Sequence, residues 1–436
     1  MSRDAISCRY VLIYFEPAVK RCVSHFSNKY SARLAAVLFG PLGVPLWAED
    51  ARSVRTGFLP GRGTQPRPGC LPQMSNAQNR SQIRVLIVDD SAFMRTALSR
   101  MLGSDPDLWV VGTAASGTEA LQRLGSLDPD VITLDVLMPG LDGLETLRRI
   151  MAQFPRPVIM VSSSTLKEAE ITLDALEAGA FDYVNKQLSS TSLEILHIRN
   201  DLILKIKVAA ARRNSRDLPN LERKPPRAVE VLAPLSLREA PAIVALGVST
   251  GGPKALQEIL PILPADLSVP ILVVQHMPPG FTAPFVTRLN NLCAISICEA
   301  SHGQVVRPGV VYVAPAGSHI TVDRSTNSQG MIWLSDKPEN QPHVPSIDVM
   351  MQSVAAAFHS LAMGIILTGM GSDGAQGMDA IHREGGLTVG QDEPSCAVYG
   401  MPRVCAEMHI LDRVVPLSQV PHEILQATRY RKTSAS

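Results

Sequence analysis

Excess charge of either sign is missing from this sequence. Its 436 residues carry 41 Lys and Arg against 40 Asp and Glu, a formal net charge of +1. A chain so nearly neutral exerts no bulk pull on nucleic acid or on an anionic membrane. Locally the balance is uneven. Residues 205–240 hold nine basic side chains against four acidic ones, and residues 241–436 hold eleven against fifteen. Cysteines are few: Cys8, Cys22, Cys70, Cys293, Cys298, Cys396 and Cys405, odd in number and without a CxxC pair. That weighs against a disulfide framework or a cysteine-ligated zinc site and fits reduced cytosolic thiols. No apolar run reaches the roughly 20 residues of a membrane span. The best candidate, Leu34 to Ala48, is too short, is broken by Pro41 and Pro45, and begins too late for a signal peptide. Repeats at solenoid periods are absent as well.

What the sequence does hold is two successive runs of strand–helix alternation. Residues 41–82 are rich in Pro, Gly, Arg and Ser without periodicity, and read as disordered or linker. Met74, just before the first strong strand, is an alternative start. Strands are expected at Arg84–Val88, Trp109–Ala114, Val131–Leu134, Val158–Val161 and Tyr183–Asn185. Helices are expected between them, at Ser91–Leu102, Gly117–Leu124, Gly143–Gln153, Glu168–Ala178 and Thr191–Ala211. This alternation implies a parallel sheet covered on both faces. A basic, Pro-containing linker follows, with Pro225-Pro226 in its middle. A second alternation then begins, with strands at Ile243–Gly247, Pro270–Gln275, Val310–Ala314 and Gly364–Leu367, and helices at Lys254–Leu263, Thr282–Leu292, Ser346–Ala362 and Ala375–Glu384. The boundaries are an extension over 1–82, a first domain over 83–204, a linker over 205–240, a second domain over 241–428 and a tail over 429–436. The fold class is α/β, with two doubly wound parallel-sheet domains.

Chemistry in the first domain sits at strand ends. Asp89 and Asp90 end the first strand and Asp135 the third, so a doubly wound sheet brings them to one crevice. Three carboxylates there repel one another and imply a hard cation; magnesium fits, with its oxygen ligands and exchangeable waters. Ser162 closes the fourth strand and is placed to bond a phosphoryl oxygen, while Lys186 follows the fifth and is placed to neutralise it. Asp135 is then the acceptor of an in-line phosphoryl transfer. The segments Val88-Asp89-Asp90-Ser91, Leu134-Asp135-Val136-Leu137-Met138-Pro139-Gly140, Met160-Val161-Ser162-Ser163 and Tyr183-Val184-Asn185-Lys186 closely resemble the flavodoxin-like receiver domains of two-component response regulators. The resemblance implies that Asp135 takes phosphate from a histidine kinase and that Tyr183 is the aromatic residue that changes rotamer. Gln187 departs from the family, which usually has proline there.

In the second domain, Gly247-Val248-Ser249-Thr250-Gly251-Gly252 follows an apolar strand and leads into a helix near Pro253. Such a turn lifts a small nucleophile above the sheet. His276 lies in Gln275-His276-Met277-Pro278-Pro279-Gly280-Phe281, after the next strand, and Asp373 in Thr368-Gly369-Met370-Gly371-Ser372-Asp373-Gly374, after another. All three stand at strand C-termini of one sheet, the arrangement that acyl transfer needs: Ser249 attacks, His276 carries the proton, and Asp373 fixes the tautomer. Backbone N–H groups of the Gly369–Gly374 loop are candidates for an oxyanion hole. The chain order Ser, His, Asp differs from that of α/β-hydrolases. A dinucleotide site would want an acidic residue where Gln275-His276 stands.

These segments, with Tyr312-Val313-Ala314-Pro315, Pro345-Ser346-Ile347-Asp348-Val349 and Tyr399-Gly400-Met401-Pro402, resemble the chemotaxis-type protein-glutamate methylesterases, a receiver joined to a Rossmann-like serine-esterase domain. The resemblance implies a triad of Ser249, His276 and Asp373, with the Met370 backbone at the oxyanion site and no cofactor for the esterase step. It also implies hydrolysis of glutamate methyl esters on chemoreceptors, deamidation of receptor glutamines, a cytoplasmic location, no membrane insertion, and a receiver that covers the esterase site until phosphorylated. A non-catalytic protein-binding output is the alternative. A DNA-binding output, which should be small, helical and basic, fits the acidic second half poorly. The segment Asp4–Phe15 resembles part of chemotaxis receptor methyltransferases, with no upstream glycine-rich turn to bind their cofactor, and is expected to be inactive.

Overall fold

The computed structural model describes residues 82–163, 165–186, 192–216, 239–324, 329–339 and 341–430. The expectations for residues 1–81, for Gln187, for most of the linker and for the end of the tail lie outside these described residues. Residues 76–436 form one compact unit. Its first domain runs β1 (Ile83–Val88), α1 (Ala92–Gly103), β2 (Leu108–Ala114), α2 (Gly117–Leu127), β3 (Val131–Asp135), α3 (Gly143–Gln153), β4 (Val158–Ser162), α4 (Leu166–Glu177), β5 (Asp182–Asn185) and α5 (Ser192–Arg216). Val85, Leu86, Ile87 and Val88 are all buried, the continuous apolar run of a strand packed on both faces. Polar side chains start the helices: Ser91, Ser116, Asp142 and Thr165 accept the N–H of Met94, Glu119, Glu145 and Glu168. The strand order is β2-β1-β3-β4-β5, all parallel. It reverses between β1 and β3, so the crevice opens where Asp89, Asp90 and Asp135 stand. Helix α5 continues past residue 204, and Ile206, Ala209 and Ala210 pack into this domain's core. The packed first domain is therefore longer than the expected boundary.

The second domain runs β6 (Ile243–Val248), α6 (Gly252–Ile259), β7 (Ile271–Gln275), α7 (Thr282–Leu292), β8 (Ser296–Glu299), β9 (Val310–Val313), β10 (His319–Asp323), β11 (Met331–Ser335), α8 (Ile347–Phe358), β12 (Ala362–Ile366), α9 (Ala375–Arg383), β13 (Leu387–Gln391), α10 (Met401–Glu407), β14 (Arg413–Val415) and α11 (Val420–Ala427). Seven parallel strands lie in the order β14-β13-β12-β6-β7-β9-β8, and β10 and β11 pair as an antiparallel ribbon. One face of the sheet packs Leu256, Phe281, Phe285 and Leu289; the other packs Ile347, Met350, Val354 and Met378. The order turns back between β6 and β12, which brings the loops after β6, β7 and β12 to one end. The elements β8, β10, β11, β13 and β14 were not anticipated from the sequence. In β13, Thr388 and Gln391 dilute the apolar run; both are buried and satisfied locally, Thr388 donating to the Ile410 carbonyl and Gln391 accepting the Thr368 N–H.

Candidate active site

The turn after β6 is held from two sides. The Ser249 N–H donates to the Thr368 carbonyl at 3.0 Å. Gln275, the last residue of β7, donates through Nε2 to the carbonyls of Ser249 (3.0 Å) and His276 (2.9 Å). Glycine is required at 251, where φ is +77° and a Cβ would come within 2.3 Å of Ala397. It is required again at 369, where a Cβ would lie 2.9 Å from the Ser249 Cβ. The loop carrying Met370 thereby passes against the serine.

The three residues expected to act together do converge. His276 Nδ1 lies 3.1 Å from Ser249 Oγ, and His276 Nε2 lies 2.8 Å from Asp373 Oδ2. The imidazole bridges hydroxyl and carboxylate, with Nδ1 toward the serine. Asp373 sits at the start of α8 and accepts the N–H of Ile347 (2.8 Å) and Asp348 (3.0 Å) and the hydroxyl of Ser346 (2.9 Å). Burial would raise its pKa, but the bond and charge of His276 and these backbone donors outweigh burial and hold the carboxyl far below the usual range. The ring of His343 stacks on that of His276, centroids 4.2 Å apart and planes at 19°.

A cavity of about 470 Å³ opens on Ser249, His276 and Met370. Its opposite wall belongs to the first domain: Tyr183 and Asn185 of β5, and Asp201 and Lys205 of α5. Tyr183 stacks on Phe281 of the second domain, centroids 4.9 Å apart. Lys205 Nζ sits 5.5 Å from the same ring and ion-pairs with Asp201 at 3.1 Å. Burial would lower the Lys205 pKa, but Asp182 and Asp201 raise it, so the ammonium stays charged. The Tyr183 hydroxyl is buried without a hydrogen-bond partner among the described residues.

At the crevice of the first domain, Asp89, Asp90 and Asp135 offer carboxylate oxygens that all lie within 4.8 Å of one another. Oδ2 of Asp89 and Oδ2 of Asp135 are buried with no hydrogen-bond donor among the described residues. Orphaned oxygens in such a cluster suit a hard cation. Burial pushes the Asp135 carboxyl up to about 6, against the bond and charge of Lys186, whose Nζ is 2.6 Å away. The Ser162 hydroxyl donates to the Ser163 carbonyl at 3.1 Å, with Glu168 Oε2 3.4 Å away.

Sequence reasoning assigned no role to Gln275, Ser346, His319 or His343. The first two lay inside segments singled out for other members. No spacing rule marks His319 or His343, because the neighbours each one touches are brought to it only by the fold.

A model of the CheB methylesterase family matches residues 244–424, and one of the response regulator receiver domain matches residues 85–196. The protein-glutamate methylesterase/protein-glutamine glutaminase 1 of Oleidesulfovibrio alaskensis is 42% identical over 370 residues, spanning 79% of this chain and 99% of that protein. The protein-glutamate methylesterase/protein-glutamine glutaminase of Symbiobacterium thermophilum is 46% identical over 363 residues, spanning 79% and 97%. The crystal structure of the Thermotoga maritima CheB methylesterase catalytic domain is 35% identical and spans 43% of this chain and 99% of that one, with a TM-score of 0.42.

Proposed function

The chain belongs to the protein-glutamate methylesterase/protein-glutamine glutaminase family, and on that premise we propose that it hydrolyses glutamate methyl esters on chemoreceptors under the control of phosphorylation at Asp135. The observation that carries this reading is the imidazole of His276, bonded at one nitrogen to Ser249 and at the other to Asp373. A non-catalytic binding output has no use for that arrangement.

Ser249 Oγ attacks the ester carbonyl while His276 Nδ1 takes its proton. The imidazolium is held by Asp373, which stays ionised. N–H groups of the loop at Met370 receive the oxyanion. The tetrahedral intermediate collapses as His276 returns the proton to the departing methoxy oxygen, and methanol leaves. Water, deprotonated by His276, then frees the glutamate carboxylate and restores Ser249. A receptor glutamine follows the same course and releases ammonia.

Control comes from the first domain. Asp89, Asp90 and Asp135 would hold magnesium, which when bound supplies positive charge for phosphoryl transfer. Asp135 accepts the phosphoryl group from a histidine kinase, Lys186 neutralises it, and Ser162 and Tyr183 respond. The wall formed by β5 and α5 then leaves the cavity, a population shift toward an open arrangement. Among the described residues no helix is long and apolar enough to cross a membrane; we place the reaction in the cytoplasm, with receptor signalling helices as substrate.

Methanol release from methylated receptor membranes, with and without a small phosphodonor, tests both halves. Ser249→Ala should release none yet remain phosphorylatable. Asp135→Asn should keep the resting rate and ignore the phosphodonor. Equal stimulation of the Asn variant and the wild type would sever the link between the domains.

A further inference from the structure

Behind the Ser249–His276–Asp373 line stand two more polar side chains, both fully buried. Ser346 is 1% exposed and His319 is 0% exposed. Ser346 precedes α8 and is its N-cap: its Oγ accepts the Val349 N–H at 3.3 Å. A hydroxyl has one proton to give, and Ser346 gives it to Asp373 Oδ1 at 2.9 Å. The same oxygen accepts the Asp348 N–H at 3.0 Å, while Oδ2 accepts from Ile347 and faces His276, both at 2.8 Å. Each carboxylate oxygen is therefore fixed by a donor other than His276. Turning the carboxylate away from the imidazole would break the Ser346 bond.

Ser346 is itself pinned. Its N–H donates to Nδ1 of His319 at 3.1 Å. A ring nitrogen that accepts carries no proton, so His319 is neutral with its hydrogen on Nε2. Burial lowers the pKa of His319, which keeps it in that form. The ring opens β10, which is paired to β11 and tied to α8 by the Val322 N–H bond to Ser353 Oγ at 3.0 Å. The line of hydrogen bonds thus ends on a braced ribbon rather than on a loop.

We propose that Ser346 is a positioning residue that aims His276 through Asp373, and that His319 holds Ser346 in register. The inference rests on the reading of Ser249, His276 and Asp373 given above. It predicts a loss in the chemical step and not in binding, since neither side chain reaches the cavity.

The test uses the full chain with a small phosphodonor and two readouts. One is kcat and KM on a peptide carrying a glutamate γ-methyl ester. The other is the rate at which a fluorophosphonate labels Ser249, which reports activation of the nucleophile whatever the natural substrate. Ser346→Ala should lower kcat and the labelling rate about tenfold, the worth of one hydrogen bond to a charged group, with KM unchanged. Ser346→Thr restores the hydroxyl and should restore both rates. Ser346→Gly keeps most of the capping preference but offers no side-chain donor, and should fall with the Ala variant. His319→Asn keeps an acceptor near Nδ1 and should stay close to wild type, whereas His319→Leu should lose as Ser346→Ala does. The Ala/Leu double variant should lose no more than the worse single one, because both act along one path. Wild-type labelling in Ser346→Ala, wild-type rates in Ser346→Gly, or multiplicative losses in the double variant would each overturn the proposal. Ser249 labelling that falls in Ser346→Ala while even the wild type cleaves no ester would leave the proposal standing and refute the methylesterase reading instead.

Discussion

Two carboxylates near the imidazole are displaced in opposite directions, and their surroundings explain the difference. Asp373 is held down by His276 and by helix-start N–H groups, against its burial. Asp348, the second residue of the helix whose start Asp373 faces, is pushed up to about 6. Burial is the main cause and the negative charge of Asp373 adds to it; the Gly377 N–H, at 2.7 Å, offsets only part. One group is thus held ionised for the reaction, while its neighbour carries a cost for being charged. Because the folded-state pKa of Asp348 lies above its ordinary 3.8, the stability linked to it is complete below that value and is lost as pH rises through about 6. Asn at 348 keeps an oxygen for Gly377 and removes the charge. We expect the melting temperature of Asp348→Asn to exceed that of the wild type by about 2–4 °C per kcal/mol regained at pH near 7.5, and the gap to shrink toward about pH 4.5. A gap that stays constant over that range would show that the charge of Asp348 costs nothing.

At the scale of elements, β5 and α5 do two tasks at once: they complete the first domain and wall the cavity of the second. Tyr183 is held between the Lys205 ammonium and the Phe281 ring. A stacked aromatic pair contributes roughly 0.5–1.5 kcal/mol beyond its buried area. Removing the ring should therefore loosen the wall without touching the triad. Tyr183→Ala is expected to raise the unphosphorylated rate of methanol release several-fold, and Tyr183→Phe, which keeps the stack, to leave it unchanged. An unaltered resting rate in the Ala variant would mean that this contact does not hold the wall in place. These elements also show what a sequence conveys and what it does not. Strands buried on both faces, such as β1, β6 and β12, were legible as apolar runs, and the ends of those strands gave the site residues, because a doubly wound sheet collects its C-termini. The half-buried ribbon β10–β11 and the diluted strand β13 carried too weak a pattern. With them went His319, whose place behind Ser346 depends on that ribbon. Phe281 was visible as part of a motif, but its stacking against Tyr183 arises only when two domains meet.

Across the whole molecule, a buried apolar cluster that includes Leu173 and Tyr183 of the first domain and Phe281 and Phe285 of the second joins the domains, with polar pairs at its edge. Arg288 of α7 pairs with Asp174 and, at 3.4 Å, with Glu177, both on α4, and Gln257 of α6 donates to Glu177 at 3.1 Å. Helix α4 begins next to Ser162 and ends at these pairs, so it spans the distance from the phosphoryl site to the second domain. Partly exposed ion pairs of this kind are worth about 0–1 kcal/mol each and weaken as salt screens them. Such an edge closes the cavity without locking it, which a switch driven by one phosphoryl group requires, since a ligand shifts an equilibrium only by its differential affinity for the two states. Reversing the charge at 288 turns attraction into repulsion at both partners. Arg288→Glu should raise resting methanol release about two- to fivefold, in keeping with pairs of that size, and reduce the further gain from phosphodonor. Raising salt to about 0.5 M should increase the resting rate of the wild type and lower that of the variant, because screening weakens the attraction in one and the repulsion in the other. If both proteins respond alike to salt, the closure is governed by apolar contact alone, and the α4–α7 edge has no part in restraining the enzyme.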